Sequence, residues 1–254
     1  MDADALILLR LLVDWGADEA IEDAPLNRLA PAPTLAPPPR PAPPRPAPTS
    51  RAPAAERADE VASSADTLAA LRAAIAGFEA IGLRDTATGP VLFEGAADAD
   101  ILLVLPPPSA EEDRALRVMA GETGAFLAAM LASIGLRERV LLAPLIPWRP
   151  PGDRPPSPAE LAICLPFLHR LVALAHPRLA VLLGPLAARA LLGTERRPGR
   201  GRFTDAIVPG RAAPLPCLPM TAPAQVRGDP AARPVAWAEL RLLRRRIEQE
   251  VTSK

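Results

Sequence analysis

The sequence predicts an α/β fold, a three-layer αβα sandwich around a mainly parallel four-stranded sheet. Two observations predict it: four short apolar runs have the length of buried strands, and segments with helical signals separate them. Strands that alternate with helices are joined by right-handed crossovers, which makes the strands parallel and covers both faces of the sheet. Ligands bind such sheets at the carboxyl ends of the strands.

The predicted strands are continuous apolar segments, which are typical of strands buried on both faces. They cover residues 100–105, 139–146, 179–183 and 214–220. Their carboxyl ends, where we expect a ligand site, fall at Leu105–Pro108, Leu145–Arg149, Gly184–Pro185 and Met220–Arg227.

The predicted helices carry recognisable start signals. Ser109–Glu112 and Ser157–Glu160 each match a capping box, and Pro158 suits the first turn of the second of these helices. That helix is expected to run to about Ala175. The other predicted helices cover 65–83, about 122–133, a short segment after Pro185, and about 230–250.

The N-terminal part of the chain differs from the rest. Residues 3–21 show helical spacing of apolar side chains, so residues 1–22 are predicted to form a helix whose apolar face needs a partner. Twelve of the 34 prolines fall within Pro25–Pro53, a composition that favours extended polyproline II. Residues 23–58 are therefore predicted as a disordered Pro/Ala-rich linker, and residues 59–254 as the folded domain.

Composition excludes several classes of protein. The 29 basic residues balance 29 acidic ones, which argues against DNA binding by net charge but leaves a local patch open. Cys164 and Cys217 are too few for a disulfide framework or a four-thiolate metal site. No run reaches the ~18 apolar residues of a membrane span, and no signal-peptide pattern occurs. We therefore expect a soluble, cytoplasmic protein without a membrane partner.

The predicted strand ends carry little chemistry. They hold no histidine, cysteine or carboxylate, and we expect surface or helix-terminal roles for His169 and His176. The acidic cluster Glu111–Asp113 is interpreted as favourable charge in the first turn of a helix. The arginines between residues 196 and 211 lie in a Gly/Pro-rich loop that could contact phosphates or be solvated, and both interpretations stay open.

Several segments occur together in a recognisable order. The most specific are Pro147–Arg154, Pro158–Glu160 and Cys164–Leu168; weaker support comes from Gly16–Ile21, Glu112–Asp113, Gly121–Gly124, Leu182–Gly184, Gly201–Phe203, Pro230–Arg233 and Trp237. Over nearly its whole length, the chain resembles the family 4-type uracil-DNA glycosylases. The resemblance implies descent from enzymes that flip uracil out of DNA, cleave its glycosidic bond and carry a four-cysteine iron–sulfur cluster.

The positions that the resemblance assigns to the base pocket are substituted. Leu105 and Pro106 stand at the start of the family's Gly-Glu-x-Pro-Gly motif, so its acid is absent. Met119 replaces a stacking phenylalanine, Pro144 an asparagine, and Ala222 the histidine of a His-Pro motif. The resemblance therefore predicts no catalytic residue.

The cluster ligands implied by the resemblance are also missing. Cys164 matches one ligand position, whereas Ile81 occupies another and the region near Ala180 supplies no thiol. Cys217 matches none. One thiolate cannot hold a cluster that needs four, so we expect no iron–sulfur cluster and no other metal.

Three functions remain open at this point. The favoured one is a catalytically inactive glycosylase-like protein that binds DNA or takes part in DNA repair, with Arg149, Arg154, Arg200 and Arg202 as candidate phosphate contacts. The second is an active base-excision glycosylase of altered chemistry. The third is a scaffold that binds a protein partner through residues 1–22.

Overall fold

The computed structural model describes residues 51–193 and 201–252. The predicted N-terminal helix and most of the predicted linker lie outside these residues. So do Arg196, Arg197 and Arg200 of the arginine-rich loop.

A six-stranded sheet forms the middle layer of the domain. Its strands are β1 (Glu94–Gly95), β2 (Ile101–Leu105), β3 (Val140–Pro144), β4 (Leu179–Leu183), β5 (Thr204–Ala206) and β6 (Leu215–Met220). The order across the sheet is β1-β3-β2-β4-β6-β5. The four central strands are parallel, as predicted. The prediction of only four strands is wrong, because β1 and β5 add short antiparallel edges.

Eight α-helices surround this sheet in the described part of the chain. They are α1 (Arg51–Ser63), α2 (Leu68–Gly77), α3 (Ala110–Ala115), α4 (Gly121–Ser133), α5 (Pro158–Ala175), α6 (Pro185–Leu192), α7 (Pro223–Gly228) and α8 (Arg233–Thr252). Short 3₁₀ turns occur at Gly82–Asp85, Pro151–Asp153 and Pro230–Ala232. Both predicted capping boxes are confirmed, at Ser109 and at Ser157.

Two hydrophobic cores lie on opposite faces of the sheet, because successive strand residues alternate between the faces. Leu102 and Val104 point to the core that contains side chains of α1, α2, α5 and α6. Leu103 and Leu105 point to the core that contains side chains of α4, α7 and α8. The predicted three-layer αβα arrangement is therefore confirmed.

The start of the folded domain lies earlier than predicted. Helix α1 begins at Arg51, and Ala58 on this helix is completely buried. The boundary of the linker at residue 58 is therefore wrong. Pro53 misled the prediction, although the first turn of a helix tolerates a proline because its N–H would have no partner there.

The predicted helix 65–83 is divided in the structure. Thr67 caps the start of α2 by accepting a hydrogen bond from the backbone N–H of Ala70. The helix ends at Gly77, because Phe78 has extended backbone geometry and turns its ring into the core.

Helix α5 is the one described helix that is long and apolar enough to cross a membrane by length and composition. Its side chains Ile163, Phe167 and Leu171 belong to a core of the domain. Packing against the sheet accounts for the apolar composition of this helix.

Candidate functional site

The carboxyl ends of the central strands meet at one edge of the sheet. Leu105 at the end of β2 pairs with Pro144 at the end of β3, and Leu183 at the end of β4 pairs with Met220 at the end of β6. Gly184 extends the pairing of β4 with β6 by donating its N–H to the carbonyl oxygen of Met220. This edge is therefore the place where the fold predicts a ligand.

A cavity of about 140 Å³ opens at this edge, between the end of β2 and helices α4 and α7. Its size is close to the cavity of about 150 Å³ that accommodates a single benzene ring in another protein. Its lining residues are Leu105, Pro106, Pro107, Ser109, Glu112, Met119, Thr123, Gly124, Leu127, Pro223 and Ala224. The cavity is thus mostly apolar, with three polar side chains.

A larger cavity of about 200 Å³ lies at the opposite end of the sheet, beside Asp100, Leu179 and Ile247. Asp100 precedes β2 and Leu179 begins β4, so this cavity is at the amino ends of the strands. Ligands of parallel α/β sheets bind at the carboxyl ends, and the smaller cavity is therefore the candidate site.

Glu112 is the one ionisable side chain among the described residues that line the candidate cavity, and both of its oxygens are engaged. Oε2 accepts hydrogen bonds from the N–H and the hydroxyl of Ser109, each at 3.0 Å. Oε1 accepts the N–H of Met119 at 2.9 Å. The carboxylate therefore holds the start of α3 to the start of α4 through three hydrogen bonds.

The turn before α4 gives the cavity its second wall. Met119 has a positive φ of 56°, and Gly121 follows with a φ of 73°. A Cβ at Gly124 would clash with the backbone carbonyl of Met119, so only glycine allows the helix to pack this closely over the turn. The geometry places the Met119 side chain in the cavity wall.

The structure brings together three of the five substituted pocket positions. Leu105, Pro106 and Met119 line the candidate cavity. Pro144 lines a separate gap of about 20 Å³ and not the candidate cavity. Ala222 does not line the cavity; its Cβ lies 3.3 Å from where a Cβ on Gly184 would stand.

Two polar residues near this edge were not predicted from the sequence. Glu239 on α8 is 3% exposed, and its Oε2 accepts the N–H of Thr221 at 2.8 Å. This bond fixes the backbone just before Ala222 and Pro223. The signal that could have identified Glu239 is its spacing on α8, because it occurs at an inward position between the buried residues Ala236 and Leu243.

Cys164 belongs to a core that also contains a cluster of aromatic side chains. The Phe78 ring lies 6.3 Å from the Trp148 ring and 5.2 Å from the Phe167 ring, measured between ring centroids. These three residues, Ile81 and Cys164 are each at most 4% exposed and belong to the same core. A gap of about 20 Å³ lies beside Cys164.

The thiols do not fit the cluster that the family resemblance implies. The gap beside Cys164 has room for about one water molecule. Cys217 on β6 pairs with Ala180 on β4, so a thiol does lie near that region, but the chain has two cysteines where the cluster needs four. Burial raises the pKa of Cys164 and raises the pKa of Cys217 to about 12, which keeps both thiols protonated.

Neither histidine lines the candidate cavity. His176 caps the C-terminal end of α5 with a positive φ of 48° and is exposed, as the sequence predicted. His169 lies on α5 and is partly buried, and burial lowers its pKa.

The acidic residues Glu111–Asp113 occupy the first turn of α3, which confirms their interpretation as helix-terminal charge. Asp113 in addition accepts hydrogen bonds from Thr88.

Three of the four candidate DNA-binding arginines lie in the described part of the chain. Arg149 donates its Nε–H to Asp153 at 2.7 Å, which lowers the pKa of Asp153. Arg202 is exposed. Arg154 makes a bidentate pair with Glu160, with N–O distances of 2.9 and 2.6 Å. A phosphate contact by Arg154 would therefore compete with this internal pair.

The Arg154–Glu160 pair makes a pH-dependent contribution to stability. The two hydrogen bonds from Arg154 lower the pKa of Glu160 from 4.5 to about 2. We expect Glu160→Gln, which can still cap Ser157, to destabilise the domain by about 1–2 kcal/mol at neutral pH. A carboxyl group whose pKa is lowered by folding stabilises the folded state at pH values above its unfolded pKa. The difference in unfolding free energy between wild type and variant should therefore shrink as pH falls from about 5 towards 2. Urea unfolding across this range measures it, and a difference independent of pH would contradict it.

Comparisons with known proteins identify the family. The model of the uracil DNA glycosylase superfamily matches residues 92–241, which is more than half of the chain. The type-4 uracil-DNA glycosylase of Archaeoglobus fulgidus is 37% identical over 108 residues, covering 42% of this chain and 54% of the relative. The type-4 enzyme of Thermotoga maritima is 36% identical over 101 residues, covering 39% and 53%.

A third relative gives the same result. The type-4 uracil-DNA glycosylase of Pyrobaculum aerophilum is 33% identical over 100 residues, covering 39% of this chain and 51% of the relative. The chain spans about half the length of the curated relatives it matches. The matched region 92–241 contains the whole candidate cavity and the central strands of the sheet. The chain therefore belongs to the uracil-DNA glycosylase superfamily.

Proposed function

We propose that this protein binds DNA through the carboxyl edge of its sheet and does not cleave the glycosidic bond of uracil. The observation that carries the proposal is the state of Glu112. It is the one ionisable side chain among the described residues that line the candidate cavity. One of its oxygens accepts the N–H and the hydroxyl of Ser109, and the other accepts the N–H of Met119.

Cleavage of a base requires groups that the substituted pocket positions do not supply. The family resemblance implies a polar group that positions water or reads the base, an aromatic face that stacks it and a donor that stabilises the departing uracil anion. Pro106 and Pro144 have neither a polar side chain nor an N–H, while Met119 and Ala222 provide no aromatic ring or donor. Because removal of one such donor already costs about 10²–10³ in rate, the combined losses support an inactive site.

DNA binding is the part of the family's function that the remaining residues favour. Arg149 uses only its Nε–H in the pair with Asp153, so the other guanidinium donors can reach a phosphate. Arg202 is exposed and follows Gly201, whose N–H binds the Pro219 carbonyl near the end of β6. Both arginines thus belong to segments at the carboxyl edge. A role in DNA repair would follow from such binding and from the names of the relatives.

The binding half of the proposal predicts a salt-dependent complex. The wild-type protein should bind DNA at low salt. The logarithm of its binding constant should fall linearly with the logarithm of the salt concentration, and the gradient of this line is the salt slope. Arg149→Ala with Arg202→Ala should reduce the salt slope by about 1.8, which corresponds to two lost contacts to duplex phosphates. Fluorescence anisotropy with a labelled duplex measures both quantities.

Two exposed arginines provide a matched control. Arg137→Ala with Arg139→Ala removes the same charge from the segment that precedes β3, at the opposite end of the sheet, and should leave the slope unchanged. Absence of binding at low salt, or equal effects of the two double variants, would contradict the proposal. Base release, the second half of the proposal, is tested separately.

A further inference from the structure

Helix α8 packs on one face of the sheet and runs from the carboxyl ends of the strands towards their amino ends. Its first turns lie at the carboxyl edge, where Glu239 holds Thr221 after β6. Further along, Ile247 lines the cavity at the amino ends of β2 and β4. The inward face of the helix carries the buried residues Ala236, Glu239, Leu240 and Leu243. The outward face therefore extends from the candidate site down the flank of the domain.

Three residues four positions apart form a ridge on this outward face. We define the α8 ridge as Trp237, Arg241 and Arg245, which neighbour one another along the helix. Trp237 is 49% exposed, and both arginines are exposed. Neither arginine makes an ion pair within the part of the chain that the structure describes, whereas neighbouring Arg244 is paired with Glu248.

The chemistry of the ridge distinguishes between binding partners. Trp237 is the one aromatic residue among the large apolar side chains that stay exposed in the described part of the chain. A protein partner with an apolar surface would require a contiguous apolar patch around Trp237, but the next residues along the ridge are cations. An aromatic platform followed by unpaired arginines is the combination that binds single-stranded nucleic acid, because bases stack on the ring and phosphates contact the guanidinium groups.

We propose that the α8 ridge binds single-stranded DNA, with an unpaired base stacked on Trp237 and the following phosphates held by Arg241 and Arg245. The inference rests on the proposed DNA-binding function and extends it, because it gives the path of the strand as it leaves the carboxyl edge. The strand passes the first turns of α8 and continues along the flank of the domain.

The whole 254-residue chain and a mixed-sequence single strand labelled with fluorescein provide the test. Trp237→Ala should weaken binding about 5- to 100-fold, the effect expected for the loss of one stacked base. Arg241→Ala with Arg245→Ala should reduce the salt slope by about 1.4, the value for two phosphates of a single strand. Arg57→Ala, which removes an exposed charge from α1 on the other face of the sheet, should change neither quantity.

Tryptophan fluorescence gives a second readout. Of the three tryptophans, Trp148 is completely buried and Trp237 is half-exposed. In a Trp15→Phe background, adding unlabelled single strand should quench the emission and protect it from a soluble quencher, and Trp237→Phe should abolish this response while retaining most of the affinity.

Each outcome has a defined consequence. Binding that is unaffected by the ridge variants but weakened by Arg149→Ala with Arg202→Ala would overturn the ridge and leave the proposed function intact. Binding to duplex without binding to the single strand would also overturn the ridge. Failure to bind either DNA at low salt would overturn the proposed function itself.

Discussion

Trp148→Ala is expected to destabilise the domain by about 3–5 kcal/mol, because it removes the largest completely buried side chain among the described residues. Trp148 packs against Phe78, which in turn contacts Phe167 edge to face. Truncation would remove one ring of this aromatic cluster and leave a cavity that the neighbouring rings cannot close. Urea unfolding should show a lower midpoint with an unchanged slope.

A second variant protects this prediction against complete unfolding. Domains of this kind have total stabilities of about 5–15 kcal/mol, so Trp148→Ala could prevent folding. Trp148→Phe retains a ring and breaks no hydrogen bond, because the indole N–H has no partner in the described structure. We expect it to cost about 1–2 kcal/mol.

The half-exposed Trp237 serves as the matched control for this experiment. Trp237→Ala should cost less than about 1 kcal/mol, because a half-exposed side chain loses little packing. Equal losses at Trp148 and Trp237 would show that the aromatic cluster does not stabilise the core.

The second large effect concerns iron. Protein purified from iron-supplied cells should contain no stoichiometric iron and lack the broad visible absorbance of an iron–sulfur protein. The physical reason is the packing beside Cys164, where apolar side chains that include Phe93 and Phe167 leave a gap of about 20 Å³, and no second thiol of the described residues lines that gap. Metal analysis and an absorbance spectrum of the same sample measure both quantities.

Cysteine variants make the iron experiment decisive. Cys164→Ala with Cys217→Ala should remain folded and lose no more than about 1–3 kcal/mol, because each thiol acts as a small apolar side chain. A chelator should not change the unfolding midpoint of the wild type. A brown protein whose midpoint falls on iron removal would show that the core rearranges around a metal.

The central strands were predictable because each is a continuous apolar run, and burial on both faces requires such a run. The edge strands were not, since Glu94–Gly95 and Thr204–Ala206 are short and partly exposed. Their structure comes from hydrogen bonding to β3 and β6, the neighbouring strands of the sheet. The start of helix α1 was missed because Pro53 continues the proline-rich composition of the preceding segment.

The candidate site was predictable in position but only partly in content. Parallel topology placed it at the carboxyl edge, and Leu105, Pro106 and Met119 do lie together there. The engagement of Glu112 with Met119 depends on the positive φ values at Met119 and Gly121, which sequence spacing does not reveal. Pro144 was grouped with the pocket because of its place in the motif, but although it pairs with Leu105 it lines a separate gap and not the candidate cavity.

Base release under single-turnover conditions tests most directly whether the protein binds DNA without excising the base. Excess protein is incubated with a uracil-containing single strand at a salt concentration where binding is established, and abasic sites are counted. A competent type-4 uracil-DNA glycosylase on the same strand is the positive control. Ser109→Ala with Thr123→Val, which removes the two hydroxyl groups lining the cavity, is the matched variant.

We expect bound DNA and a rate at least about 10⁴-fold below that of the competent enzyme, indistinguishable from the rate of the matched variant. Strands that contain hypoxanthine or xanthine should give the same result. Abasic sites formed by the wild type in excess of the matched variant, on any of these strands, would show that the cavity still performs base excision.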